Sequence, residues 1–130
     1  METRFRSDLI AWLRSDPALS GRLNAVEEES PPAASPPWLG VAASASTDWS
    51  GKTHTGREVR LALELVDRGE DTARTTQTIA AIEARIATLA PQQDGYRVVV
   101  TQFLRSRAER RARGQRAVLL EYRFRLLEES

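Results

Sequence analysis

Two stretches alternate apolar and polar residues with the period of two that a β-strand imposes on its faces. From Arg57 to Asp67, Val59, Leu61, Leu63 and Leu65 fall on one side and Glu58, Arg60, Ala62 and Glu64 on the other. Further on, Val118, Leu120, Tyr122, Phe124 and Leu126 share a face, with Glu121, Arg123 and Arg125 opposite them. Each predicts a strand that is dry on one side and either wet or shared with a neighbour on the other. A third run places Tyr96, Val98 and Val100 against Arg97, Val99, Thr101 and Phe103, so that Asp94 to Leu127 reads as one long antiparallel hairpin. A fourth strand is predicted from Trp38 to Ser46, where Leu39, Val41 and Ala43 alternate with Gly40, Ala42 and Ser44.

Helical spacing appears in two places. Phe5, Leu9, Trp12 and Leu13 form one stripe, which predicts a helix over about Thr3 to Ser15. Asp16-Pro17 stops it and can start a short second piece, since Asp caps helix N-termini and Pro is tolerated at the first helical position; Leu19 and Leu23 would be its buried side. The other helix follows Glu70-Asp71, whose negative charge suits an N-terminus. Its stripe is Ile79, Ile82, Ile86 and Leu89, with Ala80, Ala84 and Ala87 expected to permit close approach, and Pro91 and Asp94-Gly95 end it. Glu27 to Pro37 has no apolar period and four prolines, which predicts an extended surface loop. Thr47 to Thr55 reads as a polar connection.

Helix, strand, strand, helix, strand, strand is the order of an α+β sandwich: a mostly antiparallel four-stranded sheet with two main helices packed on one face, and a long basic hairpin. At 130 residues a single domain, 1–130, is expected, carrying the Pro-rich loop at 27–37 and the hairpin tip at 105–116. The sheet's polar face and exposed edges are candidates for packing against copies of the chain.

Charge changes this picture only locally. The formal net charge is +1, so no global field selects a partner, but Arg105 to Arg116 holds six arginines against one acid, with Gly114 near the turn. All but one of the 19 basic residues are arginine, a bias that a GC-rich genome produces without functional cause. The absence of cysteine removes disulfides, thiolate nucleophiles and thiolate metal ligands. No run has the length of a signal peptide or a membrane span, so the expectation is a soluble protein made in the cytoplasm, without a membrane partner.

Candidate chemistry is sparse. A Ser/His/Asp arrangement would have to recruit His54, the only histidine, with Asp48 and a serine from a polar loop, and an exposed loop histidine is the simpler expectation. Gly51-Lys52-Thr53 imitates the end of a phosphate-binding loop, but the earlier glycine of that motif would stand at position 46, which is Ser46. Glu27-Glu28-Glu29 lacks the spaced ligands of a cation loop. No catalytic, cofactor or metal residue is therefore expected, and the chain reads as a non-enzyme. Trp38 and Trp49 are candidate interface anchors. Arg105, Arg107, Arg110, Arg111, Arg113 and Arg116 are candidates for contact with an acidic protein surface or with DNA, the bland alternative being a solubilising hairpin end. No aromatic is interleaved among them, which limits a nucleic-acid reading to backbone electrostatics.

The order of pieces resembles a known family. Asp16-Pro17-Ala18-Leu19, Pro36-Pro37-Trp38-Leu39, Thr47-Asp48-Trp49 and the Lys52-Thr53 turn are followed by Glu58-Val59-Arg60-Leu61-Ala62-Leu63, a helix with Ile79 and Ile82, Asp94-Gly95-Tyr96-Arg97-Val98, and Tyr122-Arg123-Phe124-Arg125. In that order and spacing they are similar to the tail-completion, or tail terminator, proteins of long-tailed phages and phage-derived particles such as gene transfer agents. The resemblance implies a structural subunit that forms a ring, a hexamer by family likeness, at the head-proximal end of the tail tube. Such a ring stops tube polymerisation, offers a surface to the head-side connector or stopper protein, and lets DNA pass through its lumen. It implies assembly into the particle at the head-tail junction after synthesis in the bacterial cytoplasm. The long 27–37 loop and the arginine-rich tip depart from the family pattern. The alternative reading is a small nucleic-acid-binding module that uses the same hairpin.

Overall fold

A computed structural model describes residues 1–29 and 33–129. In chain order the elements are helix α1 (Glu2–Arg14), short helix α2 (Pro17–Ser20), strands β1 (Ala25–Glu27), β2 (Trp38–Asp48) and β3 (Gly56–Arg68), helix α3 (Thr72–Ala87), and strands β4 (Gln92–Gln93), β5 (Tyr96–Arg110) and β6 (Gln115–Glu128). The strands form one six-stranded sheet in the order β1-β2-β3-β6-β5-β4. β1 runs parallel to β2, and the other neighbours are antiparallel. This corrects the four-stranded antiparallel expectation: β1 and β4 have three and two residues, too few to show a period of two in the sequence. Of the Pro-rich loop expected over 27–37, residues 30–32 lie outside the described residues.

The alternating stretches fold as their pattern requires. Val59, Leu61, Leu63 and Leu65 of β3 and Leu120, Phe124 and Leu126 of β6 are at most 2% exposed, and they meet Phe5, Leu9, Ile10 and Leu13 of α1. Fully burying a side chain of this kind contributes roughly 1.5–3 kcal/mol, so this one face supplies most of the drive to fold. Trp12 leaves the predicted stripe, and Ile10 takes its place. The indole instead sits on the seam between α1 and α3, donating to the Arg85 carbonyl at 2.8 Å beneath the Arg85 guanidinium, which lies 3.3 Å from the ring centroid. Asp16 caps α2 through the Ala18 amide with Pro17 in the first turn, as its sequence predicts.

The expected stripe faces the core, Ile82 and Ile86 being buried and Ile79 and Leu89 packed against it, and Thr75 and Thr78 of α3 are buried as well; Ala80, Ala84 and Ala87 are exposed and take no part in the close approach. Thr75 is inside because it has partners there: its hydroxyl donates to the buried Asp67 carboxylate at 2.7 Å and accepts from Arg116 at 2.6 Å. A buried polar group is tolerable when it is satisfied in this way.

Three bulges re-aim side chains that simple alternation misplaces. Register shifts between Val98 and Val100 and between Phe103 and Arg105 carry Thr101 opposite Phe124 and Phe103 opposite Tyr122, onto the face of the helices, while Val100 lies opposite Arg125. In β2 the shift between Val41 and Ala43 puts Ser44 rather than Ala43 level with Leu61, where its hydroxyl donates to Glu2 of α1 at 2.7 Å.

Candidate functional site

The hairpin divides into a base and an arm. At the base, β5 is held between β6 and β4, and Tyr96 and Val98 are buried; the Tyr96 hydroxyl donates to Asp8 at 2.7 Å, and burial pushes its pKa well above the usual phenol value. Beyond Val98 the strand pairs with β6 alone among the described residues, and Thr101 to Arg110 are all exposed. Val99, Phe103 and Leu104, at and beside the bulges, are the exposed large apolar side chains among the described residues, with Phe103 45% exposed. The other open edge belongs to β2, which β1 covers only from Trp38 to Gly40.

At the apex the chain turns through Ala112–Gly114, with φ of +62° at Arg113 and +71° at Gly114. The left-handed region suits glycine and is uncommon for arginine, so Arg113 stands out from the turn under local strain.

The six arginines do not act alike. Arg105 pairs with Glu121 across the hairpin. Arg111 folds back to bridge Glu64 at 2.6 Å and Glu109 at 2.6 Å, and its hydrogen bond holds the Glu109 carboxyl below the usual carboxylate range. Arg116 donates to the Gly69 carbonyl and to Thr75, which ties the start of β6 to α3. Arg107, Arg110 and Arg113 have no acidic partner among the described residues. The expected cluster is thus half structural: three arginines hold the arm, and three are offered outward. The signal that sequence reading passed over was Glu64, an acid on the supposedly wet face of β3 that the folded chain leaves only 7% exposed beneath Arg111.

On the face away from the helices, Glu58 gathers Arg125 at 3.0 Å, Arg60 at 3.5 Å and Arg123 at 3.9 Å. The hydrogen bond from Arg125 is the main cause holding the Glu58 carboxyl below its usual range. Trp49 lies beside this group, its ring centroid 5.1 Å from the Arg125 guanidinium. Trp38 is half-buried on the same face, against Gly40, where an added Cβ would stand 3.3 Å from the indole and 3.0 Å from the Glu29 carbonyl. The two tryptophans therefore pack intramolecularly with part of each ring accessible.

The loop between β2 and β3 brings Asp48, Ser50 and His54 together, but the groups are otherwise engaged. Ser50 donates to Asp48 at 2.7 Å and accepts from the Gly56 amide at 3.0 Å, bracing the turn, while His54 packs toward Trp49 with ring centroids 6.5 Å apart. A Cβ at Gly51 would stand 2.4 Å from the His54 ring, a contact that this exposed side chain can relieve by turning away. Among the described residues no group of three His, Cys, Asp or Glu side chains is placed to hold a metal ion, and no helix is long and apolar enough to cross a membrane.

The family model described as tail completion protein gp17 matches residues 7–127. Among solved structures, a chain in the virion of a native gene transfer agent particle shares the fold with a TM-score of 0.76 at 20% sequence identity, covering 94% of this chain and 93% of that one. No curated protein sequence matches.

Proposed function

Because the chain belongs to the tail completion protein gp17 family, we propose that it is a structural protein of a phage-like tail, and that its role there is that of a terminator. Copies join into a ring, a hexamer by family likeness, at the head-proximal end of the tail tube. The ring stops polymerisation of the tube protein and presents a surface to the head-side connector or stopper, with DNA passing only through its lumen. Synthesis takes place in the bacterial cytoplasm, and the subunit is taken into the particle at the head-tail junction. The role is architectural rather than catalytic.

The observation that carries this reading is the family match over 7–127, nearly the whole chain, together with an edge strand, β5, that is exposed from Thr101 to Arg110. A ring needs heterologous contacts that close, and two open sheet edges on opposite sides of the molecule are suited to them. The outward arginines Arg110 and Arg113 stand at the apex, where they can meet an acidic connector surface. Trp38 and Trp49, each with an accessible ring edge, serve as anchors at the subunit's contacts.

Electron microscopy of particles made without this gene tests the proposal. Overlong tails, or tails detached from filled heads, are the expected result, and tails of normal length joined to heads would overturn it. In that case the hairpin's charge would be left to a nucleic-acid role, whose signature is a steep loss of affinity with salt as phosphate contacts release counterions.

A further inference from the structure

The two open edges of the sheet carry opposite charge at the same height. Following the register across the sheet, Gly40 of β2 lies level with Glu64 of β3, Leu119 of β6 and Arg107 of β5; Ala43 lies level with Ala62, Glu121 and Arg105. On the β2 side, Glu27 is the β1 residue beside Gly40, and it is occupied by Arg14 at 2.6 Å. The chain then continues past the covered part of β2 as Glu28 and Glu29. Both are exposed, neither has a basic partner among the described residues, and both line an open cleft of about 340 Å³ with Val41, Ala42, Ala43 and Arg6, the last already paired with Glu2. At the far edge, Arg107 is likewise exposed and without an acidic partner, and Arg105 keeps much of its side chain in solvent beside Glu121.

We propose that the β5 edge of one copy docks along the β2 edge of the next, with Arg107 and Arg105 set against Glu28 and Glu29. This rests on the ring reading above and names the surfaces that make the ring. Strand directions agree with it. β2, β3, β6 and β5 alternate, so a sheet continued sideways from β5 meets the neighbour's β2 antiparallel, along the edge from Val41 onward that β1 leaves open. The contact also covers Val99 and Leu104, apolar side chains left exposed on the free edge. The surfaces are complementary and not identical, so the contact is heterologous. An isolated exposed ion pair contributes little, but here every interface of the ring repeats it, so one substitution weakens all the contacts together.

The test is charge exchange in assembling particles. Arg107→Glu alone, and Glu28→Arg with Glu29→Arg, should each lower the yield of joined, correct-length tails by about tenfold, which corresponds to about 1.4 kcal/mol over the whole ring. The three changes combined should restore that yield. Thermal unfolding of each purified variant should match the parent, because all three positions are exposed. Normal yield from the single-edge variants, or loss that the combination fails to restore, would overturn the proposed interface while leaving the ring intact as a reading. If the parent chain is present at one copy per tail by quantitative mass spectrometry of purified particles, the ring reading itself fails and this interface with it.

Discussion

Tyr96 and Val98 at the base of the hairpin, with Leu126 across from Val98, are at most 5% exposed, whereas every β5 residue from Thr101 to Arg110 is exposed. The same two strands are ladder-paired along their whole length, so backbone hydrogen bonding does not distinguish the halves. What differs is cover. α1 packs Phe5 against Tyr96, ring centroids 6.4 Å apart, and β4 closes the edge beside it, while the outer part of β5 pairs with β6 alone among the described residues, its Phe103 ring 5.5 Å from that of Tyr122. The base is thus explained by folding within the subunit, and the outer part of β5 is the surface that the proposed assembly contacts would cover.

The largest effect should come from hollowing the base. Phe124→Ala removes a fully buried ring stacked between Phe5 and Tyr122, and chemical denaturation should show a loss of about 3–5 kcal/mol. A loss below about 1 kcal/mol would mean the base does not hold the fold.

The next prediction tests the boundary between the halves. Arg111→Ala leaves Glu64 without its principal partner in a largely buried position, and after allowance for solvent around the arginine about 1–2 kcal/mol should be lost. Arg107→Ala, two turns of the pleat away and unpaired, should change stability by less than about 0.5 kcal/mol. Equal losses from both would erase the division of the tip into structural and outward arginines.

Tyr96→Phe removes the hydrogen bond to Asp8 while keeping the ring in its place against Phe5, and should cost about 1 kcal/mol in the same measurement. The smallest effect concerns pH. Glu58 has its carboxyl held down by Arg125, so its contribution is fully present above the ordinary value of 4.5 and is lost as pH falls through the lower, folded-state value. Glu58→Gln should therefore flatten the acid limb of the stability curve and leave its shape near neutrality unchanged. An unaltered acid limb would remove this group from the account.

Much of the base was legible because β3, β6 and the first half of β5 alternate strictly, and a strict period of two leaves one assignment of faces. Three things were hidden. The bulges at Val99, Leu104 and Ala42 carry no glycine or proline to mark them, so alternation carried Val100 and Phe103 to the wrong faces. β1 and β4, at three and two residues, are too short to show an alternation. At the tip, six arginines look equivalent in sequence, and only the fold shows that Glu64, Glu121 and Thr75 each engage one of them. Side-chain identity announces charge, but which charges are already satisfied depends on contacts between residues distant in sequence, as between Glu64 and Arg111.

If the hairpin's exposed apex serves assembly and not folding, the double variant Arg110→Glu with Arg113→Glu should separate the two. Both side chains lack acidic partners, and Arg113 already sits at a positive φ. Negative-stain micrographs of particles assembled with this variant should show filled heads and separate tails, while the purified variant unfolds at the same temperature as the parent. Heads joined to tails in normal numbers by a folded variant would contradict the claim and return the apex to a merely solubilising end.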